Sequence, residues 1–342
     1  DRYKVMVMKK GFWIILCMFF IPPVTFAGNM KLHYDRPAEY FEEALVIGNG
    51  TMGATLYGGV KKDKISFNDI TLWTGEPESE NSSPDAFNVI PEIRALLDNE
   101  DYQGADKAQY KVQGHYSENY QPLGTLTIEY LDDTAGISDY HRWLDIGNAT
   151  ARTQYLKDGK LFTSDYFASA PDSVIVIRLK SENKEGIHAL LSFDSPLPHS
   201  SQVADNEISV EGYAAYHSFP VYYKEEDKHR YDPERGIHFK TLVRVLSVDG
   251  SVKDRYSDSR IEIDGSTEVL ILIANVTSFN GFDKDPVKEG RNYRSHVEKR
   301  MKCAVGKTYD ALREAHIRDY KYYFDRVTVS YTHLTLPTKL EV

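Results

Sequence analysis

Cysteine is nearly absent: Cys17 and Cys303 are the only two in 342 residues. They build no disulfide framework and no CxxC metal site. Basic residues are outnumbered, 41 Lys and Arg against 51 Asp and Glu, for a formal charge of -10. That balance excludes the basic face that nucleic acid or an anionic membrane would need, and leaves neutral molecules as the expected partners. The apolar run from Gly11 to Ile21 stops at Pro22-Pro23, short of the ~20 residues of a membrane span. Catalytic signatures are missing too: HExxH, GxSxG, HRD and DFG do not occur, and the 11 histidines show no paired ligand spacing. No cofactor and no metal is therefore expected.

What is present is an ordinary globular composition, 41% hydrophobic and 12% aromatic, long enough to bury a sizeable core. Residues 1–27 read as a leader. Met8-Lys9-Lys10 supplies the positive end, Gly11 to Ile21 the apolar core and Thr25-Phe26-Ala27 the small-residue cleavage site of a signal peptide. The mature chain is expected to start near Gly28, with Asp1 to Val7 non-native and the product periplasmic or secreted. At the other end, Ser330 to Val342 has no packing pattern and reads as a non-native tail.

Between these ends the dominant spacing is period two, which places alternate side chains on one face of a strand. Leu126, Ile128 and Tyr130 alternate with Thr125, Thr127 and Glu129; Ile261 and Ile263 alternate with Glu262 and Asp264. Ile187, Ala189, Leu191 and Phe193 form a third series, and Ile208 with Val210 a short fourth. Continuous apolar runs at Val174–Ile177 and Val269–Ala274 predict strands buried on both faces. Asp158-Gly159 and Asp249-Gly250 are hairpin-turn dipeptides. Many strands with frequent turns predict a mainly β fold, an antiparallel β-sandwich. Helices are expected at Val89–Leu97, with Pro91 in its first turn, and at Tyr102–Val112. After Asn280 the spacing changes to three and four through Tyr309, Leu312, His316, Tyr320, Tyr323 and Val327, with Thr308 as N-cap. Tyr222–Glu234 reads as a polar excursion between strands.

The literal GxGxxG at Gly48–Gly53 runs into a strand-forming segment, Ala54 to Val60. It offers no helix N-terminus to a dinucleotide. The acidic pairs Asp132-Asp133, Glu225-Glu226 and Asp283 with Asp285 fit a solvated face better than a general acid and base. One segment is unusual. Asn68-Asp69-Ile70-Thr71-Leu72-Trp73-Thr74-Gly75-Glu76-Pro77 sets a Trp beside polar groups and a Gly-Glu-Pro turn, the composition of a sugar-contacting loop. Trp73 as a core residue fits equally well.

Several segments together carry a resemblance: Leu32 to Ala38, Glu42 to Val60, Asn68 to Pro77, Gln121-Pro122-Leu123-Gly124, Thr277 to Asp283 and Asp319 to Val327. They resemble the N-terminal domain of glycoside hydrolase family 95, the α-L-fucosidases, over about residues 31–327. The resemblance implies a large antiparallel super-sandwich at 28–283, then a helical linker at 284–329 leading to an (α/α)6 barrel absent from this chain. It further implies that the general-acid Glu and the Asp and Asn groups that activate water for inversion all lie in that barrel. No catalytic residue is therefore assigned here, and the chain alone is expected to be inactive. Asn68, Trp73 and Glu76 are the candidates for contact with substrate or barrel. The implied partners are a fucosylated oligosaccharide or glycan and the chain's own barrel. A stand-alone carbohydrate-binding or scaffold module is the reading from another class, and α-L-galactoside specificity the alternative within the family.

Overall fold

The computed structural model describes residues 30–77, 85–114 and 116–327. The expected signal peptide and tail lie outside these residues. Four strands come first: β1 (Lys31–Tyr34), β2 (Leu45–Gly48), β3 (Met52–Leu56) and β4 (Lys62–Asp69). Two helices follow, α1 (Ala86–Asp98) and α2 (Tyr102–Gln109). Next are β5 (Gly124–Tyr130), β6 (Ile137–Asp145), β7 (Thr150–Lys157), β8 (Lys160–Ser169), β9 (Val174–Ser181) and β10 (Ile187–Asp194). The chain continues through β11 (His199–Ala204), β12 (Glu207–Tyr213) and two two-residue strands, β13 (His217–Ser218) and β14 (His229–Arg230). It ends in β15 (His238–Ser247), β16 (Ser251–Arg255), β17 (Arg260–Ser266), β18 (Glu268–Thr277), α3 (Tyr293–Val305) and α4 (Tyr309–Val327).

Two antiparallel sheets form the body. The larger has nine strands in the order β1-β6-β7-β8-β9-β18-β15-β12-β11, and the smaller seven in the order β16-β17-β10-β5-β4-β3-β2. The predicted alternation is what builds the interior between them. In β5, Leu126, Ile128 and Tyr130 are buried while Thr125, Thr127 and Glu129 are half-exposed. Their inward side chains meet Ile261, Ile263, Leu191 and Phe193 and the inward residues of the larger sheet in one hydrophobic cluster.

The continuous apolar runs serve two cores. Ile175, Ile177, Ile271 and Ile273 face the sandwich interior. Val174, Val176, Leu272 and Ala274 face the other way, into a second cluster with Phe167, Val276, Val297, Met301 and Leu312. Helices α3 and α4 supply the far wall of that cluster. Thr308 caps α4, its hydroxyl accepting from the Ala311 N–H at 3.2 Å.

Four local expectations are corrected. Asp158-Gly159 does close the β7–β8 hairpin, with φ of 51° and 74° at its two central residues. Asp249-Gly250, however, is no hairpin: β15 belongs to the larger sheet and β16 to the smaller, so the turn carries the chain across the sandwich. Helix α1 begins three residues before Val89, so Pro91 falls in its second turn and withholds a helical donor. Helix α2 stops at Gln109, three residues short of Val112. The Tyr222–Glu234 excursion is not all loop, because β14 within it pairs with β13. The GxGxxG stretch is a β2–β3 turn in which the Asn49 side chain accepts from the Thr51 and Met52 N–H groups at 3.0 and 2.8 Å.

Candidate functional site

The loop leaving β4 is anchored from below by a buried polar chain. Asp69 accepts from the Thr71 N–H at 2.9 Å and the Thr71 hydroxyl at 2.7 Å, which folds the loop back on itself. Its other oxygen accepts from Asn275 Nδ2 at 2.8 Å, and Asn275 Oδ1 accepts from the Thr241 hydroxyl at 2.8 Å. The Arg300 guanidinium on α3 donates to the Asn275 carbonyl at 2.9 Å. Burial lowers the pKa of Arg300, and the Asp69 carboxylate opposes that shift.

On this base the loop displays Trp73 and Glu76. Trp73 is 44% exposed, so it is neither a core residue nor free. Its indole N–H donates to the Ile70 carbonyl at 2.9 Å, and its backbone bridges to Tyr120. Glu76 receives a two-pronged contact from Arg235, with Nε to Oε2 at 2.9 Å. The Arg235 guanidinium in turn lies 3.7 Å from the centre of the Tyr216 ring. Gly75 has φ of 105°, and a Cβ there would stand 2.8 Å from Glu118 Cγ, so only glycine fits between the two acids.

Trp73 and Glu76 share a pocket of about 180 Å³ with Glu118, Ile237, Phe279, Phe282 and Lys284. Asn68 does not belong to it. That residue is exposed on β4, on the opposite side of the strand from buried Phe67 and Asp69, with Gly53 as its cross-strand partner. The structure thus brings two of the three candidates together and leaves the third apart.

Glu118 is the residue that local sequence reading missed. Its carboxylate accepts from the Thr74 hydroxyl and, at 3.1 Å, from the Ser218 N–H. His217 Nδ1 lies 2.7 Å from its Oε1, and the Tyr116 hydroxyl 3.1 Å from His217 Nε2. Burial raises the Tyr116 pKa, and the neighbouring Tyr223 and Glu118 push it the same way. These contacts join residues 74, 116–119 and 217–218, far apart in the chain; the one hint in the sequence was that Glu118 stands just before the Gln121-Pro122-Leu123-Gly124 motif. Both acids lining the pocket are thereby occupied, Glu76 by Arg235 and Glu118 by three donors. Neither is a free general base. Among the described residues no group of three or more His, Cys, Asp or Glu is arranged to hold a metal.

Known proteins resemble most of this chain in sequence. Residues 32–281 match the family model described as glycosyl hydrolase family 65, N-terminal domain. "Alpha-L-fucosidase 2" of Arabidopsis thaliana is 29% identical over 88% of this chain and 36% of its own length. "Probable alpha-fucosidase A" of Aspergillus niger is 29% identical over 97% of this chain and 40% of its own. The chain thus spans about two fifths of the length of these curated relatives. A solved structure, "Putative kojibiose phosphorylase from human microbiome", aligns with a TM-score of 0.48 at 10% identity, covering 86% of this chain and 38% of that one. With most of its described sandwich under one family model, the chain belongs to the glycosyl hydrolase family 65 N-terminal domain family and carries an α-L-fucosidase-like N-terminal domain.

Proposed function

We propose that this chain is the sandwich portion of a secreted or periplasmic α-L-fucosidase-like glycoside hydrolase. The complete enzyme would remove terminal α-L-fucosyl groups with inversion, using paired carboxylates from a catalytic barrel. The observation that carries the reading is the alignment of nearly the whole chain with about two-fifths of the length of relatives named as α-fucosidases. The occupied acids support the division of labour: a sandwich whose pocket carboxylates are bound to Arg235 and to three donors contributes surface, and the barrel contributes chemistry. In this arrangement the Trp73 and Glu76 pocket faces the glycan or the barrel.

The test is turnover of 4-nitrophenyl α-L-fucoside and 2′-fucosyllactose by this chain and by a longer product of the same gene. We expect no release from the chain alone, and release of β-L-fucose, identified by its anomeric proton signal, from the longer product. Turnover by the chain alone, or a longer product active on α-L-galactosides and not on α-L-fucosides, refutes the assignment. The exposed aromatic residues beside the pocket also favour a second reading, a carbohydrate-binding module, in which sugars bind the chain and are not cleaved.

A further inference from the structure

The paired segments Trp73-Thr74 and Asn119–Gln121 border two concavities. One is the Trp73 and Glu76 pocket. The other is a cleft of about 570 Å³ between residues 119–122 and the 218–231 excursion, within the ~300–1,000 Å³ usual for small-molecule sites. Its rim is aromatic, with Tyr120, Tyr222 and Tyr231 at 51%, 74% and 38% exposure.

The floor is polar and fixed. Gln121 is 4% exposed, and its side-chain Oε1 has no hydrogen-bond partner. Buried polar atoms are nearly always paired, so an unpaired amide lining a cleft points to a ligand that pairs it. Its backbone does not wander, because the Gln121 N–H donates to the Leu72 carbonyl at 2.8 Å. Beside it the fully buried Ser218 hydroxyl accepts from Asn119 Nδ2 at 3.0 Å and lies 2.9 Å from His229 Nδ1. That contact orients the imidazole and leaves Nε2 without a partner among the described residues. The one lysine of the lining, Lys228, donates to the Val221 carbonyl at 2.7 Å and so closes its own loop.

An unpaired amide, an oriented imidazole nitrogen and tyrosine rings, with the only lysine engaged, suit a neutral ring that has one apolar face and hydroxyls at its edge. We propose that this cleft is a second saccharide subsite. It takes a pyranose whose apolar face lies on Tyr222 and whose hydroxyls bond the Gln121 amide and His229 Nε2. The assignment rests on reading the chain as part of a glycan-acting enzyme, and it adds a site that shares no lining residue with the Trp73 pocket.

Calorimetric titration of the full chain with methyl α-L-fucopyranoside, 2′-fucosyllactose and lactose tests it. We expect saturable binding of at least one of these, weakened about tenfold by Gln121→Leu and by Tyr222→Ala, and unchanged by Tyr256→Ala in the exposed turn between β16 and β17. Tyr222 is largely exposed, so its variant keeps the fold even if the buried Gln121 substitution does not. Binding abolished by Trp73→Ala and indifferent to both cleft variants overturns the subsite and leaves the glycan reading standing. Absence of binding by all three sugars also overturns the subsite, and the turnover of the longer product then judges the glycan reading separately.

Discussion

Asp63 is a buried carboxyl of the sandwich. It sits on β4, 1% exposed, and accepts from the Gly59 N–H at 2.9 Å and the Tyr166 hydroxyl at 2.8 Å. Burial outweighs these donors and raises its pKa from 3.8 to about 6. The native state therefore holds this proton more tightly than the unfolded chain. Below pH 3.8 both states are protonated and the group is neutral to stability. As pH rises through about 6 the native carboxyl must ionise in an apolar setting, and about 3 kcal/mol of stability is lost. Asp63→Asn removes this dependence. The unfolding free energy of the variant, measured in urea from about pH 4 to 7, is expected to gain on the parent by about 3 kcal/mol across that window and then level off. A difference between the two proteins that stays constant with pH would contradict the assignment.

At the scale of elements, the two Asp-Gly turns look alike in sequence and differ in the fold. Gly159 has φ of 74° in a hairpin, and a Cβ there would meet nothing within 4 Å. Gly250 has φ of 65° where the chain crosses between sheets, and a Cβ there would stand 2.6 Å from the Gly265 carbonyl carbon. Gly159→Ala is expected to cost about 1 kcal/mol, from backbone strain alone. Gly250→Ala adds overpacking against backbone that cannot retreat, for about 3 kcal/mol in total. Equal shifts of the two denaturation midpoints would refute the distinction. The pair also shows what local sequence can say. A dipeptide fixes the bend, and period two fixes which face of β5 or β17 is buried. Neither names the strand that follows as a partner, because sheet membership is set by pairing between distant segments. The candidate site divides in the same way. That Trp73 and Glu76 lie close together is legible because they share one loop, and both line one pocket. Glu118, Arg235 and His217 reach that loop only through the fold, and Asn68 lies outside the pocket because strand alternation turns it to the opposite side from Asp69.

For the whole molecule, the larger sheet is covered on both faces along Val174–Ile177 and Val269–Ala274, as their continuous apolar character predicts. The cover consists of Val297, Met301 and Ala304 from α3 with Leu312 from α4. Helix α3 also reaches the Trp73 loop. Arg300 holds the Asn275 carbonyl, the Asn275 side chain holds Asp69, and Asp69 folds the Thr71 turn that precedes Trp73. Stability and site geometry thus pass through one helix. Ending the chain after Asn292 would uncover Phe167, Val174, Val176, Leu242, Leu272 and Val276 together, a contiguous apolar face of the kind that soluble monomers avoid. That shortened chain is expected to self-associate in light scattering and to bind a hydrophobic dye. The milder Met301→Ala should keep the full chain monomeric while lowering its stability by about 2–4 kcal/mol. A shortened chain that stays monomeric with an unchanged melting temperature would show that the helices are an appendage, and the link from Arg300 to the Trp73 loop would then have no energetic weight.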